Sequence, residues 1–116
     1  MTRPALLAID LGTSAAKALL VDAESGAPLA LARRDAGTEV STEAGASEQD
    51  PNAWWSAIAG ATREVLRVAQ ERAGRIEVRG IAPCGHGPTV VPVRGDGTPV
   101  GSAITWRDTQ IGRAHV

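Results

Sequence analysis

The stretch from Leu7 to Asp22 constrains this chain more than any other. An apolar run, Leu7-Ala8-Ile9, ends in Asp10, crosses Gly12-Thr13-Ser14, and leaves as a second apolar run that carries the only lysine, Lys17. Two such runs joined by a short glycine-bearing turn read as a strand, a tight turn and a return strand. Gly12 lets the backbone bend closely around an anion, and the amides near Thr13 and Ser14 are then placed to meet phosphate oxygens. Asp10, at the end of a buried strand, suits a water-coordinated Mg²⁺. Lys17 offers a compact charge to a phosphate, whereas every other basic residue except histidine is arginine. The same residues also suit an ordinary hairpin, because a motif this short arises by chance.

At 116 residues the chain is one domain at most, enough for a core but short for a nucleotide-dependent enzyme with a closing cleft. A piece of a longer protein is expected. The formal charge is −1 with both signs interspersed, so no basic face invites nucleic acid or anionic lipid. Cys84 is the only cysteine, which excludes an internal disulfide and fits a reducing cytosol. No cationic start is followed by a long apolar stretch, so neither a leader nor a membrane span is expected, and the cytoplasm is the expected location.

Asp22 to Gly26 is rich in turn formers, and Pro28 to Arg33 reads as a third strand antiparallel to the second. From Ala36 to Gln49 the chain is small and polar without apolar periodicity, and reads as a long surface loop. A helix follows, with Asp50 as N-cap, Pro51 at the first position and Gly74 as terminator. Its apolar face takes Trp54, Trp55, Ile58, Thr62, Val65, Leu66 and Ala69, with both tryptophans expected in the core. Ile76, Val78 and Ile81 form a fourth strand that Pro83 should end. A strand after a long helix implies a crossover to a parallel neighbour, so the sheet is mixed and the class is α/β, a β-meander followed by a helix crossover. Cys84 to Pro88 then lies beyond the strand's carboxyl end, where ligands bind in open α/β sheets. Thr89 to Val93, the turn Arg94-Gly95-Asp96-Gly97, and Ala103 to Trp106 read as a closing hairpin.

The first turn resembles the phosphate motif of the actin-like ATPase superfamily. The ordered set of Asp10 to Ser14 with Lys17, Glu48-Gln49-Asp50-Pro51, Gly85-His86-Gly87, and Ala103-Ile104-Thr105-Trp106-Arg107-Asp108 is similar to the amino-terminal part of the FGGY carbohydrate kinases, over nearly the whole chain. That resemblance implies a ribonuclease H-like fold, present here as a partial domain (residues 1–116) without the second domain. It implies ATP and Mg²⁺ as cofactors and phosphorylation of a sugar or polyol hydroxyl. Asp10 would be the metal-associated carboxylate, and Gly12, Thr13, Ser14 and Lys17 the phosphate set. Trp106 would pack on the sugar, with burial of this hairpin end under a neighbouring helix as the plainer alternative, and Asp108 would be a polar cleft position. Where the family usually places a glutamine followed by a Met-His or Arg-Glu dyad on the sugar, this chain reads His86-Gly87-Pro88, which are then the expected substrate-side residues, with His86 either bonding the substrate or serving only its loop. No residue here matches the family's catalytic aspartate, which is expected beyond Val116, and so this chain alone is expected to be inactive. Cys84 is read as a structural thiol. A switch-like actin-fold ATPase would call for cluster-binding cysteines that this chain lacks, and an inactive truncated remnant is the third possibility. One helix covers one sheet face only, which leaves a face and an edge open to self-association as a homodimer.

Overall fold

The structure is a computed structural model that describes residues 2–110. The expected domain span of 1–116 includes residue 1 and residues 111–116, which lie outside the described residues. In chain order the elements are β1 (Thr2–Leu11), β2 (Ala15–Asp22), β3 (Pro28–Asp35), β4 (Glu48–Gln49), α1 (Pro51–Ala73), β5 (Arg75–Gly85) and β6 (Ala103–Ile104). The first three form an antiparallel meander, and β5 returns after α1 to lie parallel to β1, so the sheet order is β3-β2-β1-β5. The mixed sheet expected from the sequence is present.

Period-two alternation sets the faces. Ala5 and Leu7 of β1 and Ala16, Ala18 and Leu20 of β2 are buried on the side of α1, whereas Leu6 and Ala8 are exposed on the other. Helix α1 lies mainly over β2 and β3, where Ala61, Val65 and Ala69 meet Leu20, Ala18, Ala30 and Ala32. With alanine on both sides of this contact, helix and sheet backbones approach closely, and added methylenes would overpack it. The helix begins as its sequence dictates, since Asp50 accepts a 2.9 Å bond from the Asn52 N–H. It ends at Gly74, whose φ of 81° only glycine adopts freely. The β2–β3 turn is held by Asp22, which accepts from the Ser25 and Glu24 N–H groups at 3.0 and 2.9 Å and pairs with Arg3. Those bonds, Ser25 first, hold its carboxyl below the usual aspartate range.

Four expectations are corrected. Pro83 does not end the fourth strand: β5 runs through it to Gly85, and among the described residues β5 is the outermost strand of its sheet, a position that tolerates proline. The segment from Ala36 to Gln49 is not loop throughout: Glu48 and Gln49 form β4, paired antiparallel with β6. The closing hairpin is correspondingly reduced, with single bridges at Val90–Ile104 and Val93–Pro99. Trp55 is not a core residue, being 70% exposed, while its neighbour Trp54 is buried.

Candidate functional site

The β1–β2 turn closes with the Gly12 N–H donating to the Ala15 carbonyl at 2.8 Å, and the register sets Asp10 directly across from Lys17. Gly12 does not adopt a left-handed backbone. Its value is space, because a Cβ there would stand 3.1 Å from the Ala15 oxygen. Among the described residues the N–H groups of Thr13 and Ser14 donate to nothing, and neither Asp10 nor Lys17 makes an ion pair. Two open amides, one carboxylate and one ammonium thus gather at one end of the sheet. Asp10 and Lys17 stand on the face away from α1, at the end of a groove of about 450 Å³ lined also by Ala8, Leu19, Leu31 and Cys84.

The inner side of the turn is braced by residues that sequence reasoning missed. The Ser14 carbonyl accepts from the Ala36 and Gly37 N–H groups at 3.0 and 3.2 Å. Gly37 lies so close that a Cβ would fall 1.8 Å from the Thr13 oxygen. Gln49, fully buried, donates from Nε2 to the Thr13 carbonyl at 3.1 Å and accepts from Trp54 Nε1 at 2.8 Å. Gln49 stands in the Glu48-Gln49-Asp50-Pro51 segment that carries part of the family resemblance, but the segment assigns it no role, and Gly37 has no signal of its own.

Trp106 is brought to the same turn from 93 positions away: its indole Nε1 donates to Thr13 Oγ1 at 3.1 Å. It is 47% exposed, not buried beneath a helix, and the Arg107 guanidinium lies 5.1 Å from its ring centroid. Because Thr13 accepts from the indole, its own hydroxyl proton remains available to an anion. Asp108 departs from the expected cleft-facing carboxylate: it is buried, and its oxygens accept from the backbone N–H groups of Ser47 at 3.0 Å and Gln110 at 2.7 Å. Its visible work is to fasten the Trp106 loop to the segment before β4, with help from the Ser47–Thr105 hydroxyl pair and Glu39.

His86 ties the second loop to the end of β1, its N–H donating to the Leu11 carbonyl at 3.0 Å. Its ring meets Trp54 edge to face at 5.3 Å, Nδ1 lies 3.0 Å from Thr89 Oγ1, and Nε2 is shut from solvent without a partner among the described residues. Burial, followed by the nearby Arg107 charge, pulls its pKa below the usual histidine value of 6.5. The folded chain therefore binds fewer protons than the unfolded one just below pH 6.5. The contribution of His86 to stability is constant well above that pH and declines as pH falls through the window below it. The decline should appear in denaturant midpoints measured from pH 8 to 5 and disappear in His86→Gln. An equal decline in that variant would refute the assignment to His86. Gly87 and Pro88 are exposed and joined by a cis peptide bond.

Among the described residues no three His, Cys, Asp or Glu side chains cluster to cage a metal. Mg²⁺ needs no such cage, since it keeps several waters and takes one or two carboxylates together with substrate phosphates. Asp10, exposed and unpaired beside open amides, fits that donor set.

A three-strand meander followed by a helix crossover, with a short glycine-bearing turn between the first two strands, is the beginning of an actin-like ATPase fold. The FGGY family of carbohydrate kinases, N-terminal domain, matches residues 5–114, and the chain belongs to that family. A xylulose kinase of Staphylococcus epidermidis is 34% identical over 95% of this chain and 21% of its own length. A glycerol kinase of Rhodospirillum centenum is 30% identical over 91% and 21% respectively. The crystal structure of xylulose kinase from Rhodospirillum rubrum superposes with a TM-score of 0.82 at 28% identity, over 97% of this chain and 23% of that one. The chain thus spans about a fifth of the length of the curated relatives it matches.

Proposed function

We propose that this chain supplies the first phosphate turn and part of the sugar site of an ATP-dependent kinase that phosphorylates a sugar or polyol hydroxyl. The observation that carries the reading is the bond from Trp106 to Thr13, which joins the residue expected against the sugar to the turn expected against the phosphates. In-line phosphoryl transfer asks chiefly for positioning and charge stabilisation. The Thr13 and Ser14 amides, the Thr13 hydroxyl and Lys17 would hold phosphate oxygens, and Asp10 would hold Mg²⁺ through water. The metal, when bound, neutralises charge that develops on those oxygens. Trp106 offers a half-exposed aromatic face to the C–H side of a polyol, with Arg107 beside it. The general base and the adenosine pocket are assigned to parts of the protein outside this chain.

Gly87 and Pro88 bring no polar side chain to the second loop, and His86 is turned onto Trp54 and Thr89. The pocket is therefore differently polar there, and a ketose or polyol other than D-xylulose and glycerol is the preferred substrate. A sugar panel assayed by coupled ADP release on the full-length protein checks both parts. Phosphorylation of no sugar would overturn the kinase reading. D-xylulose or glycerol as the best substrate would overturn the specificity.

A further inference from the structure

Gln49 is 0% exposed, and a buried carboxamide is costly unless both ends find partners. Here both do. An indole N–H can only donate, so the Trp54 bond at 2.8 Å fixes the amide oxygen on that side and leaves Nε2 facing the carbonyls of Thr13 at 3.1 Å and Gly37 at 3.5 Å. Only a side chain carrying a donor and an acceptor at this reach can link a donor-only indole to a carbonyl. Glutamate lacks the donor, and leucine lacks both.

The Thr13 carbonyl and the Ser14 N–H belong to one planar trans peptide, in which they point in opposite directions. We propose that Gln49 is a positioning residue for the anion turn: by drawing the Thr13 carbonyl inward it aims the Ser14 N–H outward, towards the place where a phosphate would sit. The next peptide is held in the same way, through the Ala36 and Gly37 amides on the Ser14 carbonyl. Trp54 anchors the other end of Gln49 from the first turn of α1, so the helix and the anion turn share one buried relay. An amide that donates to nothing within the protein costs little in water, but its direction must be fixed before an anion arrives if it is to bind without reorganising.

The inference rests on the kinase reading for its purpose but not for its test. In the full-length protein, hydrogen exchange at Gly12 and Gly37, whose acceptors lie in the turn, should quicken in Gln49→Ala while peptides from α1 and β5 stay unchanged. In the same variant the KM for ATP should rise about tenfold, as for a hydrogen bond lost in a buried site, with the sugar KM nearly constant. Gln49→Glu should show the same defect at pH 8 and recover towards wild type at pH 5.5, where a protonated carboxyl regains a donor. Exchange unchanged at Gly12 and Gly37, or raised equally across the sheet, would overturn the proposal. So would a Gln49→Glu defect that ignores pH, or failure of both variants to fold, either of which would make the relay purely structural. Exchange needs no turnover, so it decides the matter even where the wild-type protein phosphorylates nothing, a result that would refute the kinase reading separately.

Discussion

Replacing Gly37 with alanine should disable the anion turn. The added methyl would lie 1.8 Å from the Thr13 oxygen and 2.5 Å from Ser14 Cα. Both are backbone atoms, so no rotamer change relieves the collision, and either the turn or the segment around Gly37 must move. Overpacking of this kind costs about 1–3 kcal/mol of stability. The larger consequence is for binding, because the bonds from Ala36 and Gly37 to the Ser14 carbonyl would be displaced with the methyl. ATP affinity of the full-length protein, measured by calorimetry, should fall by about 5- to 150-fold, the equivalent of a 1–3 kcal/mol loss. Wild-type affinity in Gly37→Ala would show that phosphate is not held at this turn.

Asp10→Asn should be the most damaging single change to turnover with the least effect on folding. Asparagine keeps the volume and removes the charge. Asp10 is exposed and makes no ion pair among the described residues, so thermal stability should stay within about 0.5 kcal/mol of wild type. The kcat should fall by roughly 10²–10³, the loss seen when one charge-stabilising group is removed from a transition state. Lys17→Ala serves as the comparison: it should weaken ATP binding by about 1.5–3 kcal/mol, the range for a hydrogen bond to a charged group. Turnover in Asp10→Asn equal to that of wild type would remove Asp10 from the metal site.

The hairpin, the helix and the crossover were legible because each rests on local chemistry that writes itself into the sequence: alternation in β1 and β2, an N-cap followed by proline at α1, and glycine at its end. Tertiary context decided the rest. Trp54 and Trp55 are adjacent and point about 100° apart on the helix, both near the rim of the apolar stripe. The first is buried by packing with Ala16, Ala36, Ala57 and Ala103 and by Gln49 and His86 beside it, and the second is left in water. Pro83 reads as a stop wherever both sides of a strand are paired, and the sequence does not say that β5 lies at the edge. Within the site, Asp10 and Lys17 could be selected by type and spacing. Gly37 and the task of Gln49 could not, since one is a glycine in a glycine-bearing loop and the other an amide noted only within the Glu48–Pro51 segment, and each acts through contact with a turn more than twenty positions earlier. Asp108 is the converse case: a carboxylate selected by position is buried and accepts from backbone amides, which its place in the sequence did not announce.

The bond between Trp106 and Thr13 also sets an order of assembly. The β1–β2 hairpin closes over a handful of residues, whereas the indole must find a hydroxyl 93 positions upstream. Closing so long a loop is the slow, entropically opposed part of folding. On a ribosome adding about 5–20 residues per second, the turn would wait roughly 5–20 s for its tryptophan to be synthesised. Gly37, Gln49 and Trp54 arrive during that interval. The nascent chain would thus complete the turn proposed to hold phosphate before it presents the aromatic face proposed to meet the sugar.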